Sequence, residues 1–323
     1  MKKKTFFAIL IAILAATSSK SSPSIQSSQE IHSSQAIPSA QPTQSTPPNH
    51  STPFTPKPFE VTITGHGQPM LFIPGATCSG EEWSASVAHF SKTHECHVVT
   101  LAGYAGTGPL NNGPYLETFK TELINYIKTK NLSNVILVGH SIGGFLSLWI
   151  ASELHERLNK LVIVDALPFF AGTFNPNAKP GFDETQAKTL LEAYNKMDNT
   201  QLKTTQILTA RTLCADSTYW DKIATWGAQS DRKTLAYTIT EMMGHDLRTQ
   251  IADIKVPVLV MAAYMPVKEY PQFTKEYASA TFTQQYANCS NCKIVVSPPA
   301  KHFIMYDAPE WFLQEIDTFI QPS

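Results

Sequence analysis

Charge of one sign is what this chain lacks first: 25 Lys and Arg stand against 26 Asp and Glu over 323 residues, a formal net charge of -1. Without a basic surplus there is no electrostatic footprint for nucleic acid, and the expected partner is a small or neutral molecule. Long apolar runs are also missing. The run from Phe6 to Leu14 follows Lys2, Lys3 and Lys4 and leads into Ala15, Ala16, Thr17 and Ser18. It is too short to span a bilayer comfortably and has the form of a secretory leader, with an uncleaved anchor as the alternative. No cysteine follows the run closely, so lipoprotein attachment has no acceptor. We expect a signal peptide over 1–19, a secreted or periplasmic protein, and no stable membrane span after cleavage.

Between residues 20 and 58 charge and large apolar side chains nearly vanish, leaving Ser, Thr, Pro and Gln. Such a segment cannot repay the entropy of ordering its backbone, so it reads as a flexible linker. The folded domain is then expected over 59–323, where a hydrophobic content of 42% for the whole chain is enough to fill a core. Cysteine is scarce and odd in number. Cys78, Cys96, Cys214, Cys289 and Cys292 would meet an oxidising compartment, where at least one must lack a partner within the chain. Cys289 and Cys292 could close a small loop. Metal-ligand spacing is wanting apart from the scattered His94-Glu95-Cys96-His97 cluster, so no metal is expected. The Gly103 to Gly108 stretch lacks the Lys and Ser/Thr of a phosphate loop, and no cofactor is expected.

Several short apolar runs read as buried strands: Val61 to Thr64, Met70 to Ile73, His97 to Leu101, Val135 to Val138, Leu161 to Val164, Val258 to Met261 and Lys293 to Val296. Helical periodicity falls between them, over Glu117 to Lys130 and Phe145 to Leu158. Alternating strands and helices imply a mostly parallel twisted sheet with helices on both faces, an α/β fold. From about 169 to 249 the pattern changes to four helix-like stretches without a clear strand, which reads as a helical cap.

The chemistry concentrates at Gly139-His140-Ser141-Ile142-Gly143, where an apolar strand drives straight into a helix. A serine on that sharp turn is exposed at the strand's end, and the flanking glycines are needed where chain segments nearly touch. A glycine-rich structural turn is the plain alternative. With this elbow, an Ile-Pro-Gly-Ala loop after the second strand and a late histidine, the region from about Phe59 to Ile320 resembles the α/β-hydrolase family, in its capped serine-hydrolase branch. The resemblance implies a nucleophile at Ser141, a base at His302, and oxyanion donors in the backbone amides of Ala76 and Ile142.

A serine hydroxyl needs a base, and the base needs a carboxylate to hold its tautomer. In the family the acid normally follows the strand Val258 to Met261. Here that loop reads Ala262-Ala263-Tyr264-Met265-Pro266, with no carboxylate until Glu269. Asp165, directly after Leu161 to Val164, is similar to the position used by a subset of members, with Glu269 and Asp246 as alternatives and a turn-capping role as the plain one. His140 is expected to pack, and His245 could reach a substrate. Phe169, Phe170, Phe174, Tyr219, Trp220 and Trp226 are either core or the walls of a pocket for an apolar or aromatic acyl compound. The implied function is hydrolysis of an ester, thioester or amide through an acyl-enzyme. The rival is a catalytically silent binding protein on the same fold.

Overall fold

The computed structural model describes residues 57–175, 177–266, 271 and 273–321. The leader and nearly all of the linker expected from the sequence lie outside the described residues, as does Glu269. The strands are β1 (Phe59–Gly65), β2 (Gln68–Ile73), β3 (His94–Leu101), β4 (Val135–His140), β5 (Leu158–Val164), β6 (Val258–Tyr264) and β7 (Cys292–Pro299). They form one seven-stranded sheet in the order β1-β3-β2-β4-β5-β6-β7. Only the β1–β3 pair is antiparallel. Each strand brackets its apolar run and extends past it, because ladder hydrogen bonds continue where side chains turn polar. β4, at the centre, is buried at every position, as expected for a strand covered on both faces.

Helices α1 (Ser84–Phe90), α2 (Tyr115–Thr129) and α3 (Ile142–Glu153) follow β2, β3 and β4. The stripe Phe119, Leu123 and Ile127 of α2 is fully buried against the sheet side that also takes Phe145 and Leu148 of α3. The opposite side packs Met70, Phe72, Ile136 and Val138 against Trp83, Phe90, Phe312 and Ile316. The helical period expected to run from Phe145 to Leu158 breaks earlier. Leu154 leaves helical geometry at φ -130° and ψ 32°, a short 3-10 turn takes His155–Arg157, and Leu158 already pairs with Val135 of β4. Sheet pairing outcompetes continued helix there because both leucines, 154 and 158, are buried by the turn and strand instead.

After β5 comes the cap: α4 (Phe170–Phe174), α5 (Glu184–Asn195), α6 (Asn199–Leu213), α7 (Trp220–Gln229) and α8 (Arg232–Gly244). The four helix-like stretches expected here are thus joined by a short fifth. Each long helix is started by a side-chain cap or a preceding turn: Asp183, Asp198 and Asp231 accept from Gln186, Gln201 and Thr234 amides, and Asp216 caps the turn into α7. Inside the cap, Leu190, Tyr194, Leu202, Leu235 and Ile239 make a small core of their own. The chain closes with α9 (Lys275–Gln285), α10 (Ile304–Asp307) and α11 (Pro309–Ile320). Cys289 and Cys292 form a disulfide between α9 and β7, while Cys78, Cys96 and Cys214 are free and buried. Among the described residues no helix is long and apolar enough to cross a membrane.

One half-buried carboxylate fastens the cap to α2. Glu241 of α8 accepts the Tyr115 amide at 3.0 Å and the Leu116 amide at 2.7 Å, the free N–H groups of the first turn of α2. Replacing Glu241 with Ala strands two amides at a helix start, so we expect about 1–3 kcal/mol lost in urea unfolding, with the fold retained.

Candidate active site

The elbow is built from close backbone approach. A Cβ on Gly139 would collide with the Gly143 carbonyl and the Ser147 hydroxyl, and one on Gly143 with the Ile73 and Pro74 carbonyls at the end of β2. Between them Ser141 holds φ 54° and ψ -120°, a conformation that L-residues avoid, at a cost of about 1–3 kcal/mol. The strain is held because the Ser141 amide still donates to the Val164 carbonyl of β5 at 3.0 Å, while Phe145 of α3 donates back to the Ser141 carbonyl at 2.9 Å. The Ser141 hydroxyl caps no amide of α3. It is left free at the helix's positive end.

Asp165 repeats the device one strand over. It follows β5 with φ 43°, and its amide donates to the Met261 carbonyl of β6 at 2.8 Å. Its Oδ2 lies 2.6 Å from His302 Nδ1, and its Oδ1 accepts the Ala263 amide at 2.9 Å. The loop after β6 therefore supplies a backbone donor to the carboxylate instead of a carboxylate of its own. With Asp165 ionised, Nδ1 carries the proton and Nε2 is the nitrogen left for proton exchange. Both side chains are mostly buried, at 18% and 16% exposed. Burial pushes the His302 pKa below its ordinary value, and the neighbouring His140 pushes the same way, against the upward pull of Asp165.

The loop Pro74-Gly75-Ala76-Thr77 runs alongside. A Cβ added to Gly75 would sit 3.5 Å from Ser141 Cβ, which measures how closely this loop passes the serine. Ala76, half-buried, is next in this loop, and Ile142 opens α3 directly after the serine. Thr77 takes φ 66° as the loop turns away. Ser230, at the end of α7, receives the Ala105 amide at 3.0 Å and donates to the Trp226 carbonyl at 2.8 Å, fixing the Gly103 to Gly108 loop against the cap.

His302 sits on a loop whose position is set by Asp307. That carboxylate accepts the Lys301 amide at 2.8 Å and the cap amides of Ala215 and Asp216 at 2.9 and 3.0 Å. The Phe303 amide adds a bond to the Leu213 carbonyl at 3.1 Å, so the C-terminal end of α6 is sutured to the histidine loop. Asp307 was not visible in the sequence as a site residue. The nearest signal is an acidic residue two before Pro309, at the break between two helices.

The remaining candidates are engaged elsewhere. Asp246 pairs with Arg248 at 2.6 Å, and Arg248 lies over Phe169. His245 stacks on Trp149 at 4.1 Å. His97 is taken by Glu95 and the Tyr126 hydroxyl, and no group of three metal-ligating side chains occurs among the described residues. Of the cap aromatics, Phe169 and Trp226 are core, Tyr219 stacks on Tyr306 at 3.9 Å, and Trp220 donates to the Cys214 carbonyl.

A profile of the alpha/beta hydrolase family matches residues 70–315. The chain belongs to the α/β hydrolase family. It is 22% identical over 256 residues to a pimeloyl-[acyl-carrier protein] methyl ester esterase of Pectobacterium carotovorum, covering 78% of this chain and 94% of that one. The corresponding esterase of Wigglesworthia glossinidia is 24% identical over 285 residues, covering 82% and 98%. Among solved structures, an esterase of Exiguobacterium antarcticum superposes with a TM-score of 0.66 at 19% identity, over 82% of this chain and 96% of that one. An esterase of Thermogutta terrifontis gives 0.64 at 19%, over 81% and 92%. These likenesses agree with the α/β fold and the hydrolase class expected from the sequence.

The carboxylate assignment separates cleanly by mutation. Asp165→Asn, which leaves the imidazole without an anion, is expected to cut hydrolysis of an activated ester about 10⁴-fold. Asp246→Asn, remote from His302 in its bonding, is expected to change it by no more than about twofold.

Proposed function

We propose that the chain is an exported serine hydrolase that cleaves an ester, thioester or amide through an acyl-enzyme. The observation that carries this is the 2.6 Å Asp165–His302 contact in a chain whose elbow serine is held at positive φ. In this reading Ser141 Oγ attacks the substrate carbonyl carbon as His302 Nε2 takes its proton. Asp165 stabilises the imidazolium without itself taking the proton. The amides of Ala76 and Ile142 stabilise the oxyanion, a role in which removing one side-chain donor costs about 2.7–4 kcal/mol in other enzymes. Collapse expels the alcohol, thiol or amine with the proton from His302. Water, activated by the same imidazole, then attacks the acyl carbon and frees Ser141.

Relatives named as methyl ester esterases favour an ester as the first class to try. A fluorophosphonate probe is expected to label the purified protein and to leave Ser141→Ala unlabelled. The midpoint of the acid limb of the labelling rate should fall below pH 6.5, because a base with a depressed pKa stays neutral further into acid. No labelling of a folded sample would move the reading to the silent binding protein.

Export is supported by the lysine-led apolar segment at the start of the chain. Expressed with this segment in a Gram-negative host, the protein should be recovered from the periplasm or medium with a new N-terminus near residue 20. Full-length protein in the membrane fraction would favour an uncleaved anchor.

A further inference from the structure

Glu82 lies in a 3-10 turn, Gly80–Trp83, and is 1% exposed. A carboxylate does not stay in such a place without partners. Its Oε2 accepts the Gly75 amide at 3.0 Å, at the root of the loop that carries Ala76. Its Oε1 lies 2.7 Å from Nδ1 of His140, itself fully buried. His140 Nε2 donates to the backbone carbonyl of His302 at 3.1 Å, which fixes a proton on that nitrogen. The two imidazoles lie 4.4 Å apart between centroids, and Trp83 and Phe303 enclose the His140 ring. One carboxylate and one imidazole thus touch the loop after β2, the elbow after β4 and the loop after β7, segments 60 or more residues apart in sequence.

We infer that Glu82 and His140 are positioning residues, a buried dyad that sets the distance between the Ala76 amide, the Ser141 hydroxyl and the His302 ring. The inference rests on the hydrolase reading and deepens it. A local packing role would need neither bond to run between segments. The dyad instead commits Oε2 to the first loop and Nε2 to the last, while Oε1 and Nδ1 face each other at 2.7 Å as a buried ion-pair contact without hydrogen-bond alignment. Misplacing a reacting group by about 1 Å costs on the order of 10²-fold in rate, which is the scale of benefit such a brace provides. The other titratable groups facing the dyad are the Cys78 thiol, pushed well up by burial and then by Glu82, the buried Tyr306 hydroxyl, and His302 itself.

His140→Phe keeps an aromatic ring between Trp83 and Phe303 but neither polar contact. His140→Gln keeps a donor for the His302 carbonyl. On an ester hydrolysed by the wild type, His140→Phe should lower kcat about 30-fold or more with KM within about twofold, and His140→Gln should recover to within about fivefold. In both variants the acid limb of kcat/KM should move to higher pH, since the neighbour that depresses the His302 pKa is gone. A His140→Phe protein with wild-type kcat overturns the inference, because filling the space would then suffice. Where His140→Phe does not melt cooperatively, Glu82→Met decides instead: it leaves His140 in place, and a kcat equal to wild type overturns the brace. A readout apart from turnover is the downfield proton resonance of the His302–Asp165 bond. It should persist in His140→Gln and broaden by exchange in His140→Phe. Absence of both labelling and turnover in the wild type would sink the hydrolase reading. The resonance would then judge the dyad alone, and an unchanged signal in His140→Phe would reject it.

Discussion

The contact between Asp165 and His302 is the constraint around which this molecule is organised. It joins residues 137 apart, and its 2.6 Å length leaves little tolerance. The carboxylate sits just past β5 and the imidazole just past β7, so β6 must lie between them in the sheet, and it does. The Ala263 amide from the end of β6 then closes on the carboxylate's other oxygen. Parallel register converts strand order into side-chain distance here: every parallel strand delivers its C-terminal residue to the same edge.

That edge carries much of the molecule's strain and buried charge. Ser141, Asp165 and Thr77 all hold positive φ without being glycine. Glu82 and His140 are buried as a pair beside them. Such features cost stability, and apolar packing on both faces of the sheet offsets that cost. Buried ion pairs are weak evidence for stability, yet breaking one partner away leaves an uncompensated charge that costs about 3–5 kcal/mol. The arrangement is therefore costly to form and hard to alter piecemeal, which suits a site that must hold a reactive geometry.

The cap is tied to the same edge by polar bonds as well as by apolar burial, since Leu213, Ile223 and Trp226 share a core with Phe72, Val138 and Phe303. Asp307 gathers amides from the cap and from the histidine loop, Glu241 gathers amides from the start of α2, and Ser230 receives the Ala105 amide. The cap keeps a small core of its own. The position of the imidazole and the position of the cap are thereby linked, through Asp307 and through the Phe303 amide on the Leu213 carbonyl. A change in the α6–α7 turn would be felt at His302 without passing through the sheet.

Local sequence carried a large part of this. The strand-turn-helix context of Gly139 to Gly143 identified the elbow, because a sharp turn with close backbone approach leaves a short, readable signature. The spacing of Cys289 and Cys292 allowed a small closed loop, and the structure decided that pairing among the five cysteines. Asp165 was legible as a carboxylate at a strand's end, although choosing it over Asp246 needed the hydrogen bond to be seen. Glu82 and Asp307 were not legible. Each looks like any surface acid in the chain, and its burial arises only when segments far apart in sequence meet. The end of α3 was misplaced for a related reason, as Leu154 and Leu158 satisfy helical spacing but are buried by a turn and a strand. The sequence by itself determined which residues could do chemistry and which segments would form strands, because both follow from side-chain type and short-range pattern. Only the tertiary structure decided which of those residues meet, because that depends on strand order and on buried polar groups finding partners across the sheet's edge.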